Sequence, residues 1–125
     1  MAAGLMRPER RRAPRIAERV TLAMRDATTE FRTETNNLST IGAYCTLDRF
    51  LAPMTKLQLE LELPDGARRV RVRGEGVVVR AEPVVASPEG GRYHVAIFFT
   101  EMTEHDRSAI ARFVRQRLAA SPSTS

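Results

Sequence analysis

Leu57-Gln58-Leu59-Glu60-Leu61-Glu62-Leu63 alternates leucine with polar residues without a break. A period of two is that of a strand with one face buried and the other wet. Pro64-Asp65-Gly66 follows, and these residue types favour a turn. Val70-Arg71-Val72-Arg73 then returns with the same alternation, which predicts an antiparallel hairpin. Leu57, Leu59, Leu61, Leu63, Val70 and Val72 form its expected core face.

On the C-terminal side, Gly74 and Gly76 flank Glu75 and predict a bulge or sharp bend before Val77-Val78-Val79. Ser87-Pro88-Glu89-Gly90-Gly91 is a loop. Tyr93 to Phe99 is a last strand, apolar enough to be buried on both sides for part of its length. The period then changes. Thr103, with Asp106 three residues on, resembles a helix N-cap. Ile110, Phe113, Val114 and Leu118 form one apolar stripe, with Phe113 and Leu118 expected to cover the barrel. Arg112, Arg115 and Arg117 fall mostly off that stripe, and the helix should end near Ala120.

On the N-terminal side, Val20, Leu22 and Met24 alternate like a half-buried strand. Ile16, Val20 and Met24 also fit a helical spacing, so both readings stand at this point. Phe31 to Thr35, rich in threonine nearby, is a second short strand. Asn36 to Gly42 is polar and small and ends in glycine, which predicts a loop permitting positive φ. Ala43 to Thr46 resumes a strand, and Arg49 to Thr55, with Pro53, is a connection. Short strands followed by one helix in 125 residues make a mostly β domain, a small antiparallel barrel with a C-terminal helix.

The chemistry is concentrated near the N-terminus. Arg10-Arg11-Arg12-Ala13-Pro14-Arg15 puts four arginines in six residues. Pro14 disfavours helix at Ala13, so the stretch is an extended arm or loop. Arg11 and Arg15 then point the same way, roughly 13 Å apart. Guanidinium forms two-pronged bonds to phosphate and to the O6/N7 edge of guanine, and it stacks on flat rings. The net charge is +5, and Lys56 is the only lysine among 20 basic residues. Such a surface favours anionic partners.

Other chemistries find little support. Cys45 is the single cysteine and sits among apolar residues, as a small buried hydrophobe would. His94 and His105 have no companions at metal-ligand spacing, so no metal site is expected. Nucleophile elbow and glycine-rich phosphate loop are both missing, so an enzyme is not expected. No apolar run approaches a membrane span, and the N-terminus lacks the layout of a secretory signal, which suggests the cytoplasm.

Arg11-x-x-x-Arg15 before the first strand and Asn37-x-Ser39-x-x-Gly42 after the second, in that order, resemble the PilZ domain family, bacterial receptors for cyclic di-GMP. That family's signature is R-x-x-x-R, followed roughly twenty to thirty residues later by [D/N]-x-S-x-x-G. The turn Leu63-Pro64-Asp65-Gly66, the strand Gly76-Val77-Val78-Val79-Arg80 and the closing amphipathic helix are similar too. The resemblance covers roughly residues 9 to 119 and implies a six-stranded barrel; the domain is therefore expected over 9–120, between a flexible lead-in at 1–8 and a polar tail at 121–125 that should be disordered.

It also implies a site. Arg11 and Arg15 would contact the phosphates and the guanine edge or face, and Asn37 and Ser39 would bind the base of another guanine. Gly42 would let the chain turn and approach the ligand. Asn37 stands where aspartate is commoner; an amide donates and accepts hydrogen bonds but forms no ion pair. Arg10, directly before the motif, goes in similar PilZ domains with an intercalated ligand pair, so two cyclic di-GMP molecules per chain are expected. Whether Arg12 joins them stays open. The resulting picture is a receptor or adaptor in which ligand orders the arginine arm and alters a surface for a separate protein partner. The alternatives are a PilZ-like adaptor that works without ligand and a basic nucleic-acid-binding barrel. The latter is poorly supplied with stacking aromatics, there being only seven Phe and Tyr and no Trp.

Overall fold

The computed structural model describes residues 14–84 and 91–120. The expectations for the lead-in 1–8, for the tail 121–125 and for most of the 87–91 loop lie outside these residues. In chain order the elements are β1 (Thr21–Arg25), β2 (Glu30–Leu38), β3 (Gly42–Leu47), β4 (Lys56–Asp65), β5 (Arg68–Pro83), β6 (Tyr93–Glu101) and helix α1 (Glu104–Ala120). The strands close into a barrel in the order β1-β2-β3-β6-β5-β4, with every neighbouring pair antiparallel. Closure between β1 and β4 leaves no free strand edge to template aggregation.

The β4–β5 hairpin is the wall that the leucine alternation predicts. Leu57, Leu59, Leu61 and Leu63 are all buried, opposite Gly76, Gly74, Val72 and Val70. Val72 is fully buried, while Val70 is only half-buried and packs at the core's margin. The two glycines make room for close neighbours: a Cβ at Gly76 would stand 2.9 Å from Leu59 Cδ1, and one at Gly74 would stand 2.7 Å from the Glu101 carbonyl oxygen. The expected bulge is present, since the β5–β6 register slips between Glu75 and Gly76. No bend ends the strand there, and β5 continues through both glycines to Pro83. In β6, Val95, Ala96 and Ile97 are consecutively buried, as its composition predicts.

Residues 20–25 adopt the strand reading rather than the helical one, and Val20, Leu22 and Met24 line the core. Asp26 closes the β1–β2 hairpin by accepting the backbone N–H groups of Thr28 and Thr29 at 2.9 and 2.8 Å. Those two donors hold its carboxyl below the usual carboxylate range. Cys45 faces the core from β3, and burial pushes its thiol up to about 12. A neutral buried thiol is inert, so a thiol reagent at pH 8 should modify Cys45 only once the protein is unfolded.

Helix α1 begins as its sequence suggests. Asp106 N–H donates to Thr103 Oγ1 at 3.1 Å, and Arg107 N–H donates to the Thr103 carbonyl at 2.9 Å. Ala109, Ile110, Phe113 and Val114 bury the inner stripe. The last turn departs from expectation. Leu118 is 44% exposed, and Arg117 turns inward in its place. The Arg117 guanidinium lies 4.6 Å from the centre of the Phe113 ring and pairs with Glu18 at 3.3 Å. A long arginine stem covers apolar surface while its head finds a carboxylate, which leucine cannot do. Phe113→Ala should therefore cost about 3–5 kcal/mol in denaturant unfolding. Leu118→Ala should stay within about 0.5 kcal/mol of the parent.

Candidate ligand-binding site

Two segments far apart in sequence meet on the outer wall of the barrel beside β2 and β3. The first runs from Arg15 to Val20. Ile16 and Leu38 exchange both backbone hydrogen bonds, each at 2.9 Å, in an isolated antiparallel bridge. Both side chains are buried. Two residues further on, the Thr35 hydroxyl donates to the Glu18 carbonyl at 2.7 Å and accepts the Val20 N–H at 3.0 Å. Thr35 N–H also donates to the Val20 carbonyl at 2.9 Å. Thr35 is completely buried, and its hydroxyl uses both donor and acceptor capacity to pin the segment to β2.

The second segment is the end of β2 and the turn after it. Asn36, Asn37 and Leu38 belong to the strand, not to a loop as their composition suggests. The reason is a bulge: the register passes from Thr35↔Cys45 to Asn37↔Tyr44, leaving Asn36 without a partner of its own. Thr35 and Leu38 point inward, and the two asparagines between them stay on the outer side. A bulge re-aims side chains in this way, and here it keeps Asn37 on the surface. The Asn36 amide donates to Thr46 Oγ1 at 2.9 Å.

The turn is correspondingly short. Ser39 N–H donates to the Gly42 carbonyl at 3.0 Å, and Ser39 Oγ accepts the Ile41 N–H at 3.1 Å. Ser39 is buried, so its hydroxyl shapes the turn from within. Gly42 does not need positive φ, contrary to the loop reading; among the described residues only Gly66 and Gly91 have it among glycines. Glycine is required at 42 for space, because a Cβ there would stand 2.3 Å from the Ile97 carbonyl oxygen of β6.

Of the six residues that the sequence points to, the structure brings Arg15, Asn37, Ser39 and Gly42 together around the Ile16–Leu38 bridge. Arg10 and Arg11 lie outside the described residues, as does Arg12. Two further residues escape the motif. Tyr44 stands opposite Asn37 on β3, half-buried, and the exposed Arg15 guanidinium lies 5.5 Å from the centre of its ring. Arg80 of β5 donates to the Tyr44 hydroxyl at 3.2 Å. The outward phase of β3, with Gly42, Tyr44 and Thr46 alternating against buried Ala43, Cys45 and Leu47, is the signal that could have found Tyr44. Arg80 becomes adjacent only through the β5–β6–β3 pairing. The arrangement presents guanidinium groups, an aromatic ring and an amide on one surface, suited to a flat anionic ligand.

A family model for the PilZ domain matches residues 9–116. The chain belongs to the PilZ domain family. Proteins of known structure share its fold at low sequence identity. The Bacillus subtilis inhibitor of motility MotI/DgrA superposes with a TM-score of 0.72 at 21% identity, over 88% of this chain and 52% of that one. The complex of K. pneumonia MrkH with c-di-GMP gives 0.65 at 16% identity, over 87% and 52%. The PilZ domain of Escherichia coli YcgR, solved with c-di-GMP, gives 0.61 at 14% identity, over 90% and 99%. This PilZ chain thus spans about half the length of the first two proteins and nearly all of the isolated YcgR domain. No curated protein matches it by sequence. No helix among the described residues is long and apolar enough to cross a membrane.

The Arg15–Val20 segment is held by a buried hydroxyl, which makes a clean test possible. Thr35→Val keeps the shape but leaves the Val20 N–H and the Glu18 carbonyl unpaired. It should lower stability by about 1–3 kcal/mol in chemical denaturation.

Proposed function

We propose that this PilZ domain is a receptor for cyclic di-GMP that passes its signal to a separate protein and performs no catalysis. The observation that carries this reading is the Ile16–Leu38 bridge, next to which Arg15 covers the ring of Tyr44, the residue paired with Asn37. Family membership supplies the ligand, as do relatives solved with c-di-GMP. Cyclic di-GMP carries two phosphates and two guanines, the groups that guanidinium and aromatic faces recognise best.

In this reading Arg11 and Arg15 bind the phosphates and a guanine, and Asn37 bonds a guanine edge. Tyr44 offers a stacking face, and Arg80, now engaged by the Tyr44 hydroxyl, adds positive charge at its rim. Ser39 and Gly42 hold the turn in shape. The ligand draws residues 10–12 onto the barrel, and the changed surface is what the partner senses, an order-on-binding switch. Arg10 neutralises a second, intercalated ligand, which gives two per chain.

Calorimetric titration with cyclic di-GMP, run beside GTP and a short oligonucleotide, tests the reading. Only cyclic di-GMP should bind tightly, at two molecules per chain, and more weakly as salt rises. Arg11→Ala or Arg15→Ala should nearly abolish binding. Arg10→Ala should lower the ligand count toward one. Asn37→Ala should cost about 1–3 kcal/mol of binding, and Tyr44→Leu a similar amount through lost stacking. Saturation at one ligand in the parent would refute the role given to Arg10. Full binding by the Arg11→Ala/Arg15→Ala double variant would refute the site.

A further inference from the structure

The Ser39–Gly42 turn is held from a direction that its motif does not reveal. Three of its carbonyls have identified donors. That of Gly42 takes the Ser39 N–H, and that of Ile41 takes the Phe99 N–H of β6 at 2.9 Å. The Thr40 carbonyl just before them takes a guanidinium: Arg107 Nη1 of helix α1 donates to it at 2.8 Å across 67 residues of sequence. The contact is partly buried, and a charged donor in such a place is stronger than a neutral one.

The position of Arg107 is unfavourable for the helix itself. It follows Glu104 and Asp106 in the first turn, where acidic residues complement the dipole and a cation opposes it. Its contact with the turn supplies the compensating interaction. At the other end of the same helix, Arg117 pairs at 3.3 Å with Glu18, whose carbonyl accepts the Thr35 hydroxyl. Helix α1 therefore grips both segments of the site, the turn through Arg107 and the arm's root through Arg117. Its middle packs on the core through Ile110 and Phe113.

We propose that Arg107 is a positioning residue for the ligand-binding turn, and that it and Arg117 make helix α1 the element that senses occupancy of the site. The coupling part of this inference rests on the proposed cyclic di-GMP function. Linkage is reciprocal: if the Arg107 contact favours the binding geometry of the turn, ligand on the turn must favour the contact, and with it the docked helix. The helix also carries exposed Arg112, Arg115 and Leu118, so a change in its docking is available to a partner.

The test compares the parent with Arg107→Met, Arg107→Lys and Arg112→Met by amide hydrogen exchange, thermal unfolding and cyclic di-GMP titration. Methionine keeps the apolar stem and removes the donor, lysine keeps a donor, and Arg112 does not touch the turn. Without ligand, Arg107→Met should exchange the Ser39 and Ile41 amides on the order of tenfold faster at an unchanged unfolding midpoint. With ligand, the parent should show slowed exchange across residues 104–118. Arg107→Met should bind on the order of tenfold more weakly and lose that slowing, with Arg107→Lys in between and Arg112→Met like the parent. Parent-like turn exchange in Arg107→Met would overturn the positioning role. Parent helix amides indifferent to bound ligand would overturn the coupling. If the parent failed to bind cyclic di-GMP at all, the functional proposal and the coupling would fall together. The ligand-free exchange of Arg107→Met would still decide the positioning role.

Discussion

Two hydrogen bonds between Ile16 and Leu38 fix where the segment from Arg15 to Val20 meets the barrel. On their N-terminal side, Arg15 lies over the outer face of β3, against the Tyr44 ring. Everything C-terminal to them is led past Thr35 into β1, which closes the barrel against β4. The bridge is buried, so its backbone groups would be costly to leave unpaired. A constraint of this kind holds residues distant in sequence on one surface. Arg15 is one residue from a fixed point, and Asn37 is one residue from the other half of it.

The site and the core are built from the same strands with opposite phases. Thr35 and Leu38 face inward and anchor, while Asn36 and Asn37 face outward. Ala43 and Cys45 fill the core, while Tyr44 faces outward. The described part of the site is thus an open wall rather than a cavity. A cavity of about 790 Å³ opens elsewhere, between Met24, Glu30, Gln58, Glu75, Glu101 and Met102. Its rim is predominantly acidic, a poor seat for an anion. Among the described residues the two buried polar ones, Thr35 and Ser39, hold the Arg15–Val20 segment and the Ser39–Gly42 turn respectively.

Much of this was legible in the sequence where the signal is local. Strict alternation at Leu57–Leu63 needs no knowledge of the partner strand to predict a buried face, and the Gly74/Gly76 pair announced its bulge. The fold class followed from such local periods. What the sequence concealed depends on distant atoms. The β2 bulge, which keeps Asn37 in a strand, is defined by its register with β3. Gly42 looks like a turn glycine but is fixed by the Ile97 carbonyl of β6, and Arg80 is joined to Tyr44 only by sheet order. Leu118 fits the apolar stripe on paper, yet Arg117 takes that place because Glu18 and the Phe113 ring await it.

The most direct measurement is an amide chemical-shift map of the protein titrated with cyclic di-GMP. A site organised by the Ile16–Leu38 bridge predicts one continuous set of perturbed amides: Arg15 and Ile16, Asn37 to Gly42, Tyr44 and Arg80, extending through Arg107 to helix α1, with the Asp26–Thr29 turn at the far end of β2 silent. Perturbations confined to the acidic cavity, or to either segment without the other, would contradict it.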